Sequence, residues 1–271
     1  MFMQKLLESV HQAMDEAARE VMAIYADPTR FDTQHKDDDS PLTAADLAAH
    51  RCLCRHLEAA TPEIPVLSEE SAEVPSEERR RWARCWVVDP LDGTKEFLKR
   101  NDEFTLNVAL VEDGRVVLGV VDAPALGRRY FAAEGVGAWR RDGAAATEER
   151  LSVASPPAEG RAWRVVGSRS HPGPALQAFV DRLPAAEVVP MGSSLKLCLV
   201  AEGSADLYPR LGPTCEWDTA AAQCVVEQAG GRVLDAATGE PLRYNQRDTL
   251  LNPWFIACAE RHPAWRLPDT E

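Results

Sequence analysis

A buried strand that runs straight into two aspartates restricts this chain more than any other stretch. In Trp86-Val87-Val88-Asp89-Pro90-Leu91-Asp92-Gly93-Thr94-Lys95-Glu96-Phe97, the first three residues are large or β-branched and read as the end of a buried strand. Asp89 stands where that strand emerges. Pro90 has no N–H for a sheet ladder and is expected to stop the strand. It also holds Asp89 in extended geometry. Gly93 permits a turn that residues with side chains resist. The turn therefore presents Asp89 and Asp92 close together. Two neighbouring carboxylates repel unless a shared proton or a cation offsets them. Hard cations such as Mg²⁺ take oxygen ligands, and the Leu91 carbonyl between the two acids offers a third. A solvated Pro-Gly turn is the plainer alternative, because Asp, Pro and Gly are ordinary turn residues.

A chain of 271 residues, 45% of them hydrophobic, can bury a large core as one domain or two close-packed ones. Its formal net charge of -13 argues against a nucleic-acid polymer as partner, since no Lys/Arg excess is available for phosphates. A small phosphorylated ligand remains compatible, because metals, helix N-termini and a few cations bind anions locally. The seven cysteines are odd in number and contain no Cys-x-x-Cys, which argues against a disulfide framework or a zinc site. Cys52-Leu53-Cys54 lacks nearby second-half ligands in sequence and reads as coincidental. Free thiols fit a reducing cytosol. Charged residues interrupt every apolar run of the N-terminal segment, so it does not read as a signal peptide. No run approaches the roughly 20 apolar residues of a membrane span.

Leu6, Val10, Ala13, Ala17, Val21 and Ile24 predict an amphipathic helix over 3–26. Thr43 and Asp46 have capping-box spacing ahead of a helix over about 44–60. Pro65 to Glu70 reads as a short strand ending in acids, and Glu77 to Arg84 as a solvated helix face. Phe104–Val111, the Asp113-Gly114 turn and Arg115–Val121 form a hairpin, followed by strands at Tyr130–Ala133 and Gly137–Trp139. Tight turns between adjacent strands imply an antiparallel sheet. Residues 142–162 read as a boundary, dividing the chain into 1–145 and 146–271. Beyond it, strand, loop and helix alternate, as in an α/β layer. One strand runs through Val188-Val189-Pro190-Met191 into Gly192-Ser193-Ser194-Leu195-Lys196, where a helix start offers N–H groups and hydroxyls to a phosphate, or is simply Ser-capped. Glu216-Trp217-Asp218 opens an Ala-rich helix closed by Gly230-Gly231, with Asp218 as an N-cap on the bare pattern.

Asp89-Pro90-Leu91-Asp92-Gly93-Thr94 resembles the signature of the lithium-sensitive, magnesium-dependent phosphatases. These include inositol monophosphatases, fructose-1,6-bisphosphatases and 3′(2′),5′-bisphosphate nucleotidases. Lys95-Glu96-Phe97 is similar to the bisphosphate nucleotidases of the bacterial CysQ type, since inositol monophosphatases usually carry Asn before the Phe. Residues 39–46, Glu69 and Trp217-Asp218-Thr219-Ala220-Ala221 resemble further motifs of the superfamily, in matching order. The likeness spans essentially the whole chain and includes Ser168-Arg169-Ser170-His171 and Tyr208-Pro209-Arg210.

The resemblance implies a layered αβαβα sandwich with an N-terminal antiparallel sheet and a C-terminal α/β part. It implies two or three Mg²⁺ ions held by Glu69, Asp89, the Leu91 carbonyl, Asp92 and Asp218, with Glu69 serving catalysis as well. Thr94 and Asp46 would orient the attacking water. Gly93, Thr94, Ser168, Arg169, His171, Gly192, Ser193, Ser194, Lys196, Arg210 and Asp218 form the expected substrate surface. The implied reaction is hydrolysis of the 3′-phosphate of adenosine 3′,5′-bisphosphate, or of 3′-phosphoadenosine 5′-phosphosulfate, in support of sulfur assimilation. The alternatives are an inositol-phosphate phosphatase and a non-catalytic, metal-dependent anion binder. The expected setting is the cytoplasm, free or peripheral on the inner face of the cell membrane, as a monomer or homodimer.

Overall fold

The computed structural model describes residues 2–35, 41–71, 73–143, 147–169 and 173–265, apart from the side chains of Phe2 and His35. Helix α1 (Phe2–Tyr25) buries all six residues of the expected stripe. Strands β1 (Gln34–His35) and β2 (Pro41–Leu42) form a short antiparallel pair. Helix α2 (Ala44–Ala60) then packs on α1. Next come β3 (Val66–Ser68), α3 (Ser76–Arg79), β4 (Arg84–Asp92), α4 (Thr94–Lys99), β5 (Thr105–Glu112), β6 (Arg115–Ala123), β7 (Arg128–Ala133), β8 (Gly137–Asp142) and β9 (Thr147–Arg150). Strands β3 to β9 form one sheet in sequence order. All its pairings are antiparallel except β3 with β4, which run parallel.

The second half contributes β10 (Trp163–Ser168), α5 (Pro174–Val180), β11 (Ala186–Met191), α6 (Leu195–Ala201), β12 (Leu207–Arg210), a 3₁₀ turn at Glu216–Asp218, α7 (Ala220–Gln228), β13 (Arg232–Asp235) and β14 (Phe255–Cys258). Its five strands lie in the order β11-β10-β12-β14-β13. The pairs around β10 are parallel, and those of β14 with β12 and β13 antiparallel.

Side-chain alternation sets the layering. Trp86 and Val88 point to α1 and α2, whereas Val87 points to the layer of α6 and α7. Both faces of β4 are covered, which is why its sequence reads as one apolar run. In the second sheet, Val166, Tyr208, Val233 and Phe255 share that middle layer, while Val165, Leu207, Leu234 and Ile256 face α5. The result is the expected αβαβα sandwich, with one core common to both sheets.

Three features differ from the sequence reading. The expected division at 145/146 falls within 144–146, outside the described residues, and the first sheet runs on to Arg150 through β9, whose four residues are all exposed and carry no apolar period. Pro90 does not stop β4; the strand bulges and continues to Asp92. Arg79 is no solvated residue: it is buried, donating to Asn245 Oδ1 at 3.0 Å and to the Asp248 carbonyl at 2.6 Å. A guanidinium can leave water when its donors are matched this way. Among the described residues, no helix is long and apolar enough to cross a membrane.

Candidate active site

The pairing of β4 with β5 goes from Asp89↔Asn107 to Asp92↔Thr105, three steps on one strand against two on the other. This bulge accommodates Pro90 by breaking the regular ladder and re-aims the side chains around it. Gly93 follows at φ +92° and caps α4, with its α-carbon so placed that an added Cβ would sit 3.1 Å from the Glu103 carbonyl. The backbone there needs glycine for both conformation and space.

Carboxylate oxygens of Asp89, Asp92 and Asp218 all come within 4.8 Å of one another. Two of these acids come from the bulge and one from the 3₁₀ turn ahead of α7. Asp89 Oδ1 accepts from the Leu91 N–H at 3.0 Å, while its Oδ2 is buried without a hydrogen-bond partner. Asp218 Oδ2 accepts from the Cys215 N–H at 2.8 Å, and the Ser194 N–H donates to Asp92. Glu69 reaches this place because β3 runs parallel to β4; its N–H bonds the Val88 carbonyl at 3.1 Å. Burial, then the charges of Glu69, Asp92 and Asp218, hold the Asp89 carboxyl well above the usual range. Burial likewise lifts Asp218 to about 8 and Asp92 to about 6, the latter opposed by the Lys196 ammonium. An orphaned buried oxygen in an all-oxygen nest of mutually repelling acids fits a hard divalent cation, which satisfies the lone pairs and offsets the repulsion.

The two readings of Asp46 resolve onto its two oxygens. Oδ2 makes the cap, accepting from the Thr43 N–H at 2.8 Å and hydroxyl at 2.6 Å. Oδ1 accepts from the Thr94 hydroxyl at 3.3 Å, which also lies 3.3 Å from the Leu91 carbonyl. Burial raises the Asp46 carboxyl to about 6, with Glu70 and Glu69 adding to the effect against the Thr43 bonds.

Gly93, Ser168, Gly192, Ser193, Ser194, Lys196, Arg210 and Asp218 line one cleft beside the acids. Lys196 is buried there, donating to the Ser193 carbonyl at 2.5 Å, and burial lowers its pKa. Arg210 donates to the Pro213 carbonyl at 2.6 Å, and its Nε is buried without a partner. Of the other expected substrate residues, one has a different partner and one is not described. The exposed Arg169 pairs through two nitrogens with Glu103, both at 2.7 Å, and His171 lies outside the described residues.

Glu96 and Tyr208, which carried the resemblance without a site role, also line the cleft, and the sequence reading missed the pair Thr105 and Asn107. The Ser194 hydroxyl donates to Asn107 Oδ1 at 2.7 Å and lies 2.8 Å from Thr105 Oγ1. This buried knot holds the residue whose N–H serves Asp92, so Ser194 is spoken for as a positioning group. The available signal was two polar residues at alternate positions in the otherwise apolar strand β5.

The sequence profile of the inositol monophosphatase family matches residues 3–267. The chain is 47% identical to the 3′(2′),5′-bisphosphate nucleotidase CysQ of Salmonella typhimurium, covering 92% of this chain and 98% of that protein. It is 46% identical to the protein of the same name from Escherichia coli K12, with the same coverage. The crystal structure of CysQ from Bacteroides thetaiotaomicron, a bacterial member of the inositol monophosphatase family, superposes with a TM-score of 0.84 at 40% identity, over 96% of this chain and 98% of that one. With the profile matched almost end to end and the fold shared over nearly the whole chain, the chain belongs to the inositol monophosphatase family.

Proposed function

We propose that this chain is a Mg²⁺-dependent 3′(2′),5′-bisphosphate nucleotidase that removes the 3′-phosphate of adenosine 3′,5′-bisphosphate to give AMP and phosphate. The observation that carries the reading is the orphaned Asp89 oxygen within a cluster of acids drawn from both halves of the chain. The names of the relatives direct it to nucleotides rather than inositol phosphates. Glu69, Asp89, the Leu91 carbonyl, Asp92 and Asp218 would hold two or three Mg²⁺ ions. When bound, such ions lower the pKa of water and offset the negative charge of a phosphate ester.

The chain's own groups do the rest. Thr94 donates its proton toward Asp46, which leaves its oxygen lone pairs to accept from the attacking water. Asp46, pinned by Thr43, receives the proton that this relay passes on. Lys196 and Arg210 supply positive charge within the same cleft, where the 5′-phosphate of a bisphosphate would lie. Gly93, Gly192 and Ser193 would shape the intervening floor and Ser168 would face the nucleoside, with His171, outside the described residues, the further candidate for that side. Arg169 joins them only by exchanging Glu103 for substrate. The seven free thiols support a reducing cytoplasmic setting, and sulfur assimilation is the metabolic context in which this substrate needs removal.

The test is phosphate release from adenosine 3′,5′-bisphosphate, its 5′-phosphosulfate and an inositol monophosphate, with Mg²⁺ and with chelator. The bisphosphate is expected to give the largest kcat/KM, with no turnover in chelator. Arg210→Ala should depress kcat/KM for the bisphosphate far more than for inositol monophosphate, because only the former uses the second anion site. Equal losses, or a wild-type preference for inositol phosphate, would move the assignment to an inositol-phosphate phosphatase.

A further inference from the structure

Helix α2 carries the run His50-Arg51-Cys52-Leu53-Cys54-Arg55-His56. Spacing alone argued against a metal site here, because no second ligand pair follows at zinc-site spacing. The missing ligand comes from α1. Cys52 and His56 stand four residues apart on one face of α2, and Glu16 of α1 faces them. The Cys52 sulfur, a His56 ring nitrogen and a Glu16 carboxylate oxygen all lie within 4.8 Å of one another. His56 Nε2 is 2.8 Å from Glu16 Oε2. The sulfur is buried at the base, while His56 and Glu16 retain 31% and 36% of their side-chain exposure. The cluster lies between α1 and α2, on elements separate from the bulge that carries Asp89 and Asp92.

We propose that Glu16, Cys52 and His56 form a second metal site, for a single divalent cation of the zinc class, with the fourth position open to solvent. The ligand set differs in kind from the catalytic acids. Sulfur and imidazole favour a borderline-soft ion, whereas the all-oxygen nest favours a hard one. The present occupant of the cluster is a cation: Arg55 bonds Glu16 Oε1 and approaches the Cys52 sulfur to 3.8 Å. Its side chain is 61% exposed, so it can swing into water as the ion enters. A cysteine thiol is mostly protonated at neutral pH. Loading at neutral pH therefore breaks the S–H bond. The sulfur electron pair goes to the metal, and one proton leaves to solvent with no change of oxidation state.

The probe is Cd²⁺ added to the full chain in excess Mg²⁺, followed by the ultraviolet thiolate-to-cadmium charge-transfer band, which an oxygen-only site does not produce. We expect the band to saturate at one Cd²⁺ per chain with release of one proton. Cys52→Ala should abolish it and Cys54→Ala should leave it unchanged. His56→Ala, a change on the half-exposed face that does not threaten folding, should weaken binding by at least the roughly 10–100-fold that loss of a mere ligand partner costs. Arg55→Ala, by removing the competing cation, should tighten binding. Phosphate release in Mg²⁺ should be unaffected by any of these. Absence of the band in the wild-type chain, its survival in Cys52→Ala, its loss in Cys54→Ala, or wild-type affinity in His56→Ala would each overturn the proposal.

Discussion

Asp89 has one oxygen held by the Leu91 N–H and one that is buried with nothing to accept from. Such a group costs stability unless a cation binds. Asp89→Asn should therefore raise the melting temperature of the metal-free protein at pH 8 while reducing phosphate release to background. Mg²⁺ should raise the melting temperature of the wild type and leave the variant unmoved. A lower melting temperature in metal-free Asp89→Asn would make this acid a structural group instead. Asp46 and Thr94 belong to the same scale. Asp46→Asn or Thr94→Ala should lower kcat by about 10²–10⁴-fold, the usual worth of a positioned proton acceptor, with KM little changed. Near-wild-type kcat in both would reduce them to a helix cap and a turn residue.

At the scale of elements, α7 lies against β6 with almost no clearance. A Cβ at Gly119 would stand 2.2 Å from the Ala221 carbonyl and 2.8 Å from the Cys224 Cβ. Gly119→Ala should cost about 1–3 kcal/mol by overpacking, measured in a denaturant titration. It should also displace the start of α7 and with it Asp218, lowering kcat by up to about 10²-fold, as a misplacement near 1 Å does. Unchanged kcat alongside the stability loss would show that Asp218 is held independently of α7.

Helix α1 brings a pH dependence. His11 packs edge-on against Phe131, and burial, then Arg129 and Arg141, lower its pKa from 6.5 to about 4, against Asp15 and Glu148. A histidine depressed by folding stabilises above its unfolded pKa and loses that stability as pH falls towards the folded value. Stability should thus decline between pH 6.5 and pH 4 by up to roughly 3 kcal/mol from this residue. His11→Leu should flatten that slope, and an unaltered slope would assign the acid sensitivity elsewhere.

These elements also show what a sequence can reveal. The α1 stripe and the acid turn were legible because each is local, its signal carried by spacing or by Pro and Gly. The Ser194–Asn107–Thr105 knot and the Arg79–Asn245 bond join residues far apart in sequence, so no short window contains them. The bulge at Pro90 escaped because proline excludes a regular ladder but not a strand that skips one step. Exposed β9 carried no apolar alternation to read.

For the whole molecule, the decisive fact is that the acids belong to different halves. Asp89 and Asp92 sit on the first sheet and Asp218 beyond the second half's β12, joined over a single shared core. A ligand held by both sides stabilises the assembly by RT ln(1 + [L]/Kd), about 2.7 kcal/mol at one hundred times Kd. Mg²⁺ should accordingly protect the wild type from thermal unfolding as one cooperative unit, and Asp218→Asn should lose most of that protection. Two separate transitions in Mg²⁺ would instead show that the halves melt independently.

The order β11-β10-β12-β14-β13 places β14, the strand made after both its neighbours, in the interior of the second sheet. During synthesis, β12 and β13 leave the ribosome with a gap between them. Residues of the core shared by both sheets, Phe255 and Ala257 among them, arrive only when that gap is filled. A nascent chain stalled before residue 255 should therefore carry both acids of the bulge and yet hydrolyse nothing. Activity should switch on when the β14 segment clears the exit tunnel, which makes turnover a timer for the closing of the second sheet.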